Sequence, residues 1–269
     1  ALSDRLIYTR LDENQRPSSV WCHRLGTSQS DDQCVFRQTD AGRFIGLGKT
    51  SSQTLITIDS HDHQTNQAFI LDASLDHLEP IPVTAWIPGL EYELEQIPEG
   101  LLIRSNHAHP DFALFHAPLP SANTPLDPVD WTLLWAPESG TLFSDYEVLK
   151  EFWVFEISTE GVPQYWISGT QIDAFSLGHA LQLDSDIHDA HLEPLPDFTR
   201  DRIRMRFSTP AQPPRVLEID LRTGNIETLK ISAPPNGHTD SNYVVRRAYG
   251  ISGDGERIPM TLTYHRELD

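Results

Sequence analysis

Short apolar runs of four to six residues, separated by turn residues, recur along the whole chain of 269 residues. Residues 20–25, 54–58, 152–157 and 203–207 are four examples, and the runs follow one another at a spacing of roughly ten residues. No window has the three-to-four-residue periodicity of an amphipathic helix. The 20 prolines fall mainly between the runs, where turns and sheet edges accept them. The pattern therefore predicts an all-β fold.

The runs group into sets of about four, which indicates the architecture. The approximate sets are residues 1–40, 41–88, 89–138, 139–188 and 189–232. A repeat of this length predicts propeller blades, whereas a single sandwich would need an unusually large sheet. Residues 220–226 (DLRTGNI) predict a tight hairpin between outer strands. No Gly-His…Trp-Asp signature is present, so the chain is not a WD40 array.

The C-terminal segment departs from this rhythm. Residues 243–251 and 258–264 read as two strands joined by the turn Ser252-Gly253-Asp254-Gly255. We therefore predict a partial propeller of about five blades in residues 1–240. Residues 241–269 are predicted to open a second domain.

Charge and composition exclude several classes of function. The 39 acidic residues exceed the 20 basic ones, for a formal net charge of −19, which argues against nucleic-acid binding. No apolar run approaches the length of a membrane span. Cys22 and Cys34 are predicted to be free thiols, and no Asn-x-Ser/Thr acceptor occurs. We therefore expect a cytoplasmic location, with the periplasm as the alternative.

Motifs for catalysis or metal binding are weak. The sequence lacks Gly-x-Ser-x-Gly, and no metal or cofactor is predicted. Histidines cluster without further metal ligands in the spacing that zinc requires, so we expect them to be solvated loop residues; they are His61, His63, His107, His109, His188 and His191. Glu91, Glu93 and Glu95 alternate along one predicted strand and therefore share a face. This face is either a solvated surface or an acidic patch that attracts a cationic substrate.

Several segments carry a family resemblance. They are residues 6–17, 20–27, 91–95, 102–106, 112–114, 217–224 and 254–266. In this order they resemble the propeller of the oligopeptidase B (protease II) group within the prolyl oligopeptidase family of serine peptidases. Residues 254–266 resemble the hinge at which the chain passes from the propeller to the α/β-hydrolase domain. The resemblance is weakest between residues 177 and 200.

The resemblance implies a seven-bladed propeller that covers a hydrolase domain with a Ser, Asp and His triad. It implies a filter that admits short peptides, which such enzymes cut after Arg or Lys. The partners would be the chain's own catalytic domain and short basic peptides. No catalytic residue carries over to these 269 residues, so we expect the chain alone to hydrolyse nothing.

The resemblance also implies roles for residues of the predicted hinge. Gly253, Gly255 and Pro259 would set its turn, while interdomain ion pairs would come from charged neighbours, namely Arg246, Arg247, Asp254 and Arg257. An ordinary hairpin with surface charges is the alternative.

Two other functions stay open for the molecule. A standalone propeller that binds a partner protein would show an apolar or aromatic patch at one rim. A propeller glycosidase would place carboxylates about 5–10 Å apart at its axis.

Overall fold

The computed structural model describes residues 4–75, 77–121, 124–234 and 237–268. Within them every pair of neighbouring strands is antiparallel, and no α-helix occurs. Helical structure in these residues is limited to four single 3₁₀ turns at Gln29–Asp31, Pro128–Asp130, Asp240–Asn242 and Arg266–Leu268. The all-β prediction is confirmed.

The chain divides into two compact units, Ala1–Ala136 and Pro137–Asp269. The first unit contains three sheets, each built from strands consecutive in sequence. The first sheet has three strands, one fewer than the set of four that we predicted: β1 (Arg5–Leu11), β2 (Pro17–Arg24) and β3 (Gln33–Arg37). The second contains β4 (Phe44–Lys49), β5 (Leu55–His61), β6 (Asn66–Asp72) and β7 (Ile81–Pro82). The third contains β8 (Tyr92–Ile97), β9 (Gly100–Ser105), β10 (Ala113–Ala117) and β11 (Thr132–Trp135).

The second unit has two four-stranded sheets and one hairpin. Its first sheet contains β12 (Thr141–Val148), β13 (Trp153–Thr159), β14 (Val162–Ser168) and β15 (His179–Ala180). The next contains β16 (Asp189–Glu193), β17 (Arg202–Ser208), β18 (Arg215–Asp220) and β19 (Ile226–Ile231). The hairpin consists of β20 (Tyr243–Ile251) and β21 (Arg257–His265).

Alternation along β5 shows how the sheets of the first unit pack. Ile56 and Ile58 are buried in a cluster that also contains Val20 of the first sheet. Leu55, on the opposite face, is buried with residues such as Leu101 of the third sheet. Successive side chains of a strand point to opposite faces. The second sheet therefore buries both of its faces, as expected for a blade between two neighbours.

The second unit has its own core. Tyr165 of β14 and Ile203 and Phe207 of β17 belong to one buried cluster, together with Leu217 and Ile219 of β18. Burial of apolar area at roughly 25 cal/mol per Å² stabilises this contact between the two sheets. The alternating run in residues 203–207 thus buries its apolar side chains while its arginines stay exposed.

The predicted tight hairpin joins β18 and β19, the last two strands of their sheet. Asp220 Oδ1 accepts hydrogen bonds from the backbone N–H groups of Arg222 and Thr223, each at 3.0 Å. These bonds hold the pKa of Asp220 below its usual value, with the Thr223 backbone bond as the largest cause. The local sequence therefore specifies the turn.

Candidate functional site

The three predicted glutamates lie on or beside β8, but their environments differ. Glu93 Oε2 lies 3.4 Å from Nη1 of Arg104. Glu95 accepts hydrogen bonds from Ser51, at 2.7 Å from its backbone N–H and 3.0 Å from its hydroxyl. Glu91 and Glu93 both line one cavity, and Glu95 does not. Two of the three glutamates therefore line a common cavity, while Glu95 binds the turn between β4 and β5.

This cavity of about 450 Å³ lies within the first unit, between the second and third sheets. We call it the acidic cavity. Four carboxylates line it against one guanidinium: Asp59, Asp62, Glu91 and Glu93 face Arg104. Phe112, Tyr92 and Asn66 contribute to the same wall. Low-dielectric walls of one predominant charge concentrate ions of the opposite sign, so the cavity favours cationic groups.

Asn66 fixes part of this wall through paired hydrogen bonds to β8. Its Nδ2 donates to the carbonyl of Tyr92 at 2.7 Å, and its Oδ1 accepts from the Tyr92 backbone N–H at 2.8 Å. The same amide group donates to Asp59 Oδ1 at 2.7 Å. Asp59 Oδ2 in turn lies 2.9 Å from Nδ1 of His61. The Asn66 hydrogen bond therefore orients the Asp59 carboxylate beside the cavity.

Two buried side chains complete the wall. The hydroxyl of Tyr92 accepts from the Ala68 backbone N–H at 2.8 Å and lies 3.0 Å from the Thr84 hydroxyl. Burial raises the pKa of Tyr92 to about 12, so the phenol is neutral. The Arg104 guanidinium lies 4.0 Å from the ring centre of Phe112, within cation–π range. The cavity thus already contains a guanidinium between an aromatic ring and a carboxylate.

The predicted hinge residues all lie in or beside the β20–β21 hairpin. Asp254, in its turn, accepts hydrogen bonds from the Ser252 hydroxyl and the Glu256 N–H, which lower its pKa. Gly255 has a left-handed φ of +93°. Arg257 lies over the ring of Tyr249 at 3.4 Å.

The remaining hinge positions lie along the two strands. Arg247 donates to the backbone carbonyl of Glu160, and Arg246 lies 5.4 Å from the ring centre of Tyr264. Pro259 lies opposite Tyr249 in the hairpin register, and Gly253 is in its turn. The Arg247 contact joins the hairpin to the rest of its unit.

The clustered histidines differ in their contacts and in their exposure. The rings of His107 and His109 pack against Phe115. His191 lies 3.2 Å from Asp189 and is well exposed, whereas both ring nitrogens of His188 contact carbonyl oxygens. Among the described residues, no group of three or more His, Cys, Asp or Glu side chains is arranged to hold a metal ion. No helix in the described part of the chain is long and apolar enough to cross a membrane.

Sequence reasoning missed most residues of the acidic cavity. Asp59, Asp62, Asn66 and Phe112 come from different strands and turns. One local signal was available, the close spacing of Asp59, His61 and Asp62, which indicates a polar strand end. Only the packing of the third sheet on the second brings them to Glu91 and Glu93.

Comparison with known proteins agrees with this fold. The family model for the prolyl oligopeptidase N-terminal beta-propeller domain matches residues 2–232. Protease 2 of Moraxella lacunata is 22% identical over 97% of this chain and 36% of its own length. Dipeptidyl aminopeptidase BI of Pseudoxanthomonas mexicana is 23% identical over 98% of this chain and 35% of its own length. The chain therefore spans about a third of the length of these relatives.

Solved structures agree with the family match. Oligopeptidase B of Trypanosoma brucei, in a closed form with covalently bound antipain, superposes with a TM-score of 0.86 at 23% identity, covering 99% of this chain and 38% of that one. Oligopeptidase B of Leishmania major gives a TM-score of 0.84 at 21% identity, with the same two coverages. The likeness at this identity concerns the fold. Taken with the family match over residues 2–232, it confirms the propeller prediction, and the chain belongs to the prolyl oligopeptidase N-terminal beta-propeller family.

Proposed function

We propose that this chain is the substrate-filtering propeller of an oligopeptidase B-like serine peptidase, which cleaves short peptides after Arg or Lys. Membership of the propeller family supports the filtering role. The partner in this proposal is an α/β-hydrolase domain with the Ser, Asp and His of catalysis. We also propose a cytoplasmic location, which the free thiols of Cys22 and Cys34 support because a reducing compartment keeps thiols unpaired.

The acidic cavity is the observation that carries the preference for basic peptides. Four carboxylates line it against one guanidinium, in a chain with a formal net charge of −19. A peptide with Arg or Lys side chains would be drawn toward this surface before it reached a catalytic centre. Such steering raises association rates and is screened by salt, with a Debye length of about 8 Å at physiological ionic strength.

The test measures kcat/KM of the whole peptidase on a short dibasic peptide at low and high salt. We expect kcat/KM to fall as salt rises. We expect the double variant Glu91→Gln/Glu93→Gln to lower it roughly twofold to tenfold at low salt and to flatten the salt dependence, with kcat unchanged.

A matched variant distinguishes the effect of charge at the acidic cavity from the effect of the net charge of the chain on kcat/KM. Glu138→Gln/Glu227→Gln removes the same number of charges at exposed positions that do not line the acidic cavity. We expect this variant to keep most of the salt dependence. Equal effects of the two double variants, or a kcat/KM that does not change with salt, would contradict the steering proposal.

We also propose that the β20–β21 hairpin forms the hinge to the catalytic domain. Its outer end carries Ile251 and Ile258, which are 72% and 48% exposed and would be covered by another domain. Arg246, Asp254 and Arg257, which lie along the hairpin and in its turn, would supply interdomain ion pairs. Because hinge changes act on domain closure, their neutralisation should alter kcat and KM together in the whole peptidase, and unchanged constants would count against the hinge.

A further inference from the structure

A histidine side chain continues the hydrogen-bonding pattern of β14 where its partner strand ends. β15 pairs with β14 over two residues only, Trp166 with Ala180 and Ile167 with His179. The Leu181 N–H then donates to the carbonyl of Tyr165 at 2.7 Å. Two residues earlier on β14, the carbonyl of Pro163 lies 2.9 Å from Nε2 of His188. Both ends of the loop 181–188 therefore contact β14, through Leu181 at one end and His188 at the other.

The second ring nitrogen of His188 also contacts an acceptor. Nδ1 lies 2.7 Å from the carbonyl oxygen of Ser185, within the same loop. Carbonyl oxygens only accept hydrogen bonds, and a neutral imidazole carries a single N–H, whereas an imidazolium carries two. Only the protonated ring satisfies both contacts. A neutral ring keeps one of them and directs a lone pair at the other oxygen.

Packing holds the ring in this orientation. It stacks on Phe207 of β17, with ring centres 5.2 Å apart and planes inclined by 26°. The guanidinium of Arg215 lies 4.8 Å from the centre of the same Phe207 ring and pairs with Asp184 at 2.8 Å. Because the stacked ring is not free to rotate, it cannot turn a ring-nitrogen lone pair away from a carbonyl oxygen. Relief of that repulsion therefore requires the loop to move.

The charged groups around His188 are predominantly acidic. Asp184 and Asp186 belong to its loop, Asp189 begins β16, and Glu160 lies in the turn between β13 and β14. The positive groups facing the same region are Arg215 on β18 and Arg247 on β20. Four carboxylates and two guanidinium groups therefore surround the ring.

The loop forms one wall of a cavity of about 690 Å³ within the second unit. We call it the loop cavity. His188 and Asp186 line it from the loop, and Glu160, Arg247 and Tyr249 line it from the opposite side. The hydroxyl of Tyr249 donates to Glu160 at 2.7 Å and so fixes that side. Movement of the loop would therefore change the width of this cavity.

We propose that His188 is a proton-operated latch that closes the loop 181–188 on β14 and sets the width of the loop cavity. The imidazolium makes both carbonyl contacts and holds the loop closed. When the ring loses its proton, one of the two contacts is lost and the loop opens.

The test follows amide hydrogen exchange of the segment 181–188 at about pH 5.5 and about pH 8, after correction for the intrinsic pH dependence of exchange. Loss of one hydrogen bond should lower the protection of this segment about fivefold at the higher pH. His188→Gln has a neutral amide at every pH, so its loop should be weakly protected and insensitive to pH. His179→Gln, at an exposed position of β15, is the matched control and should keep the wild-type response.

A second measurement, on the unmodified chain, tests the latch even if a variant fails to fold. Two-bond ¹H–¹⁵N spectra report directly on protonation of the two ring nitrogens. We expect both nitrogens of His188 to be protonated at about pH 5.5. A single protonated nitrogen at that pH, or equal protection of the loop at both pH values, would overturn the latch.

Discussion

At the scale of single residues, the Tyr165 hydroxyl contacts two acceptors but has only one proton to donate. The Tyr165 hydroxyl lies 2.7 Å from Glu156 Oε2 and 2.8 Å from the carbonyl oxygen of Ala190. A phenol has one proton to donate, so both contacts are satisfied only when Glu156 is itself protonated and donates to the phenol oxygen. Burial raises the pKa of Glu156, with nearby Asp145 adding to the effect. Glu156 therefore destabilises the fold once it ionises.

This arrangement predicts a pH-dependent effect of Glu156→Gln. A raised folded-state pKa gives stability that is complete below the unfolded-state value of about 4.3 and is lost as the pH rises through the folded-state pKa. Gln keeps a donor at every pH. We expect the variant to gain stability relative to wild type between about pH 4 and pH 7.5, by about 1 kcal/mol, the net value of one hydrogen bond.

Urea unfolding of both proteins at the two pH values measures this gain. The control is Glu227→Gln on β19, whose residues are all exposed, and it should show no such trend. A stability difference between Glu156→Gln and wild type that stays constant with pH would show that Glu156 is already ionised in the fold.

At the scale of elements, Gly178 permits the short pairing of β15 with β14. Its φ is +77°, and a Cβ atom there would lie 2.0 Å from the backbone oxygen of Ile167. Gly161, in the turn between β13 and β14, has nearly the same φ of +76° but open space around its Cβ position. Substitution of the two glycines can therefore distinguish the cost of backbone strain from the cost of steric overlap.

We expect Gly161→Ala to cost about 1 kcal/mol of unfolding free energy, from the left-handed backbone alone. Gly178→Ala adds a clash with backbone that cannot move aside cheaply, so we expect roughly 2–4 kcal/mol. Unfolding in urea measures both. Equal losses would mean that β15 shifts away from β14 without cost.

Strand prediction succeeded where the sequence has a clear apolar run and failed where it does not. β5, β13 and β17 bury alternate or continuous apolar side chains and were predicted. Five strands were missed, namely β7, β12, β15, β16 and β19. β7 and β15 are only two residues long, and β19 exposes all six of its residues. β7, β15 and β19 form because a neighbouring strand supplies hydrogen bonds, and that cause leaves no local apolar pattern.

At the scale of the whole molecule, the chain has the fold of a propeller domain and no Gly-x-Ser-x-Gly sequence in its 269 residues. We expect these residues alone to leave an Arg-amide substrate intact, because the triad implied by the family resemblance belongs to a hydrolase domain. Amide hydrolysis by the purified chain, shown to be folded by circular dichroism, is the measurement. Turnover that a serine-directed inhibitor abolishes would contradict the expectation.

Local sequence patterns were enough to predict an all-β fold, because period-two burial and turn chemistry are local properties. The family resemblance came separately, from the order of matching segments along the chain. Alternation also predicted a common strand face for Glu91, Glu93 and Glu95. The contacts of Glu95 with Ser51 and of His188 with the carbonyl of Pro163 follow only from the three-dimensional packing. Such partners lie 25 to 44 residues apart. Which polar groups meet across that separation depends on strand register and sheet packing, which short-range patterns do not encode.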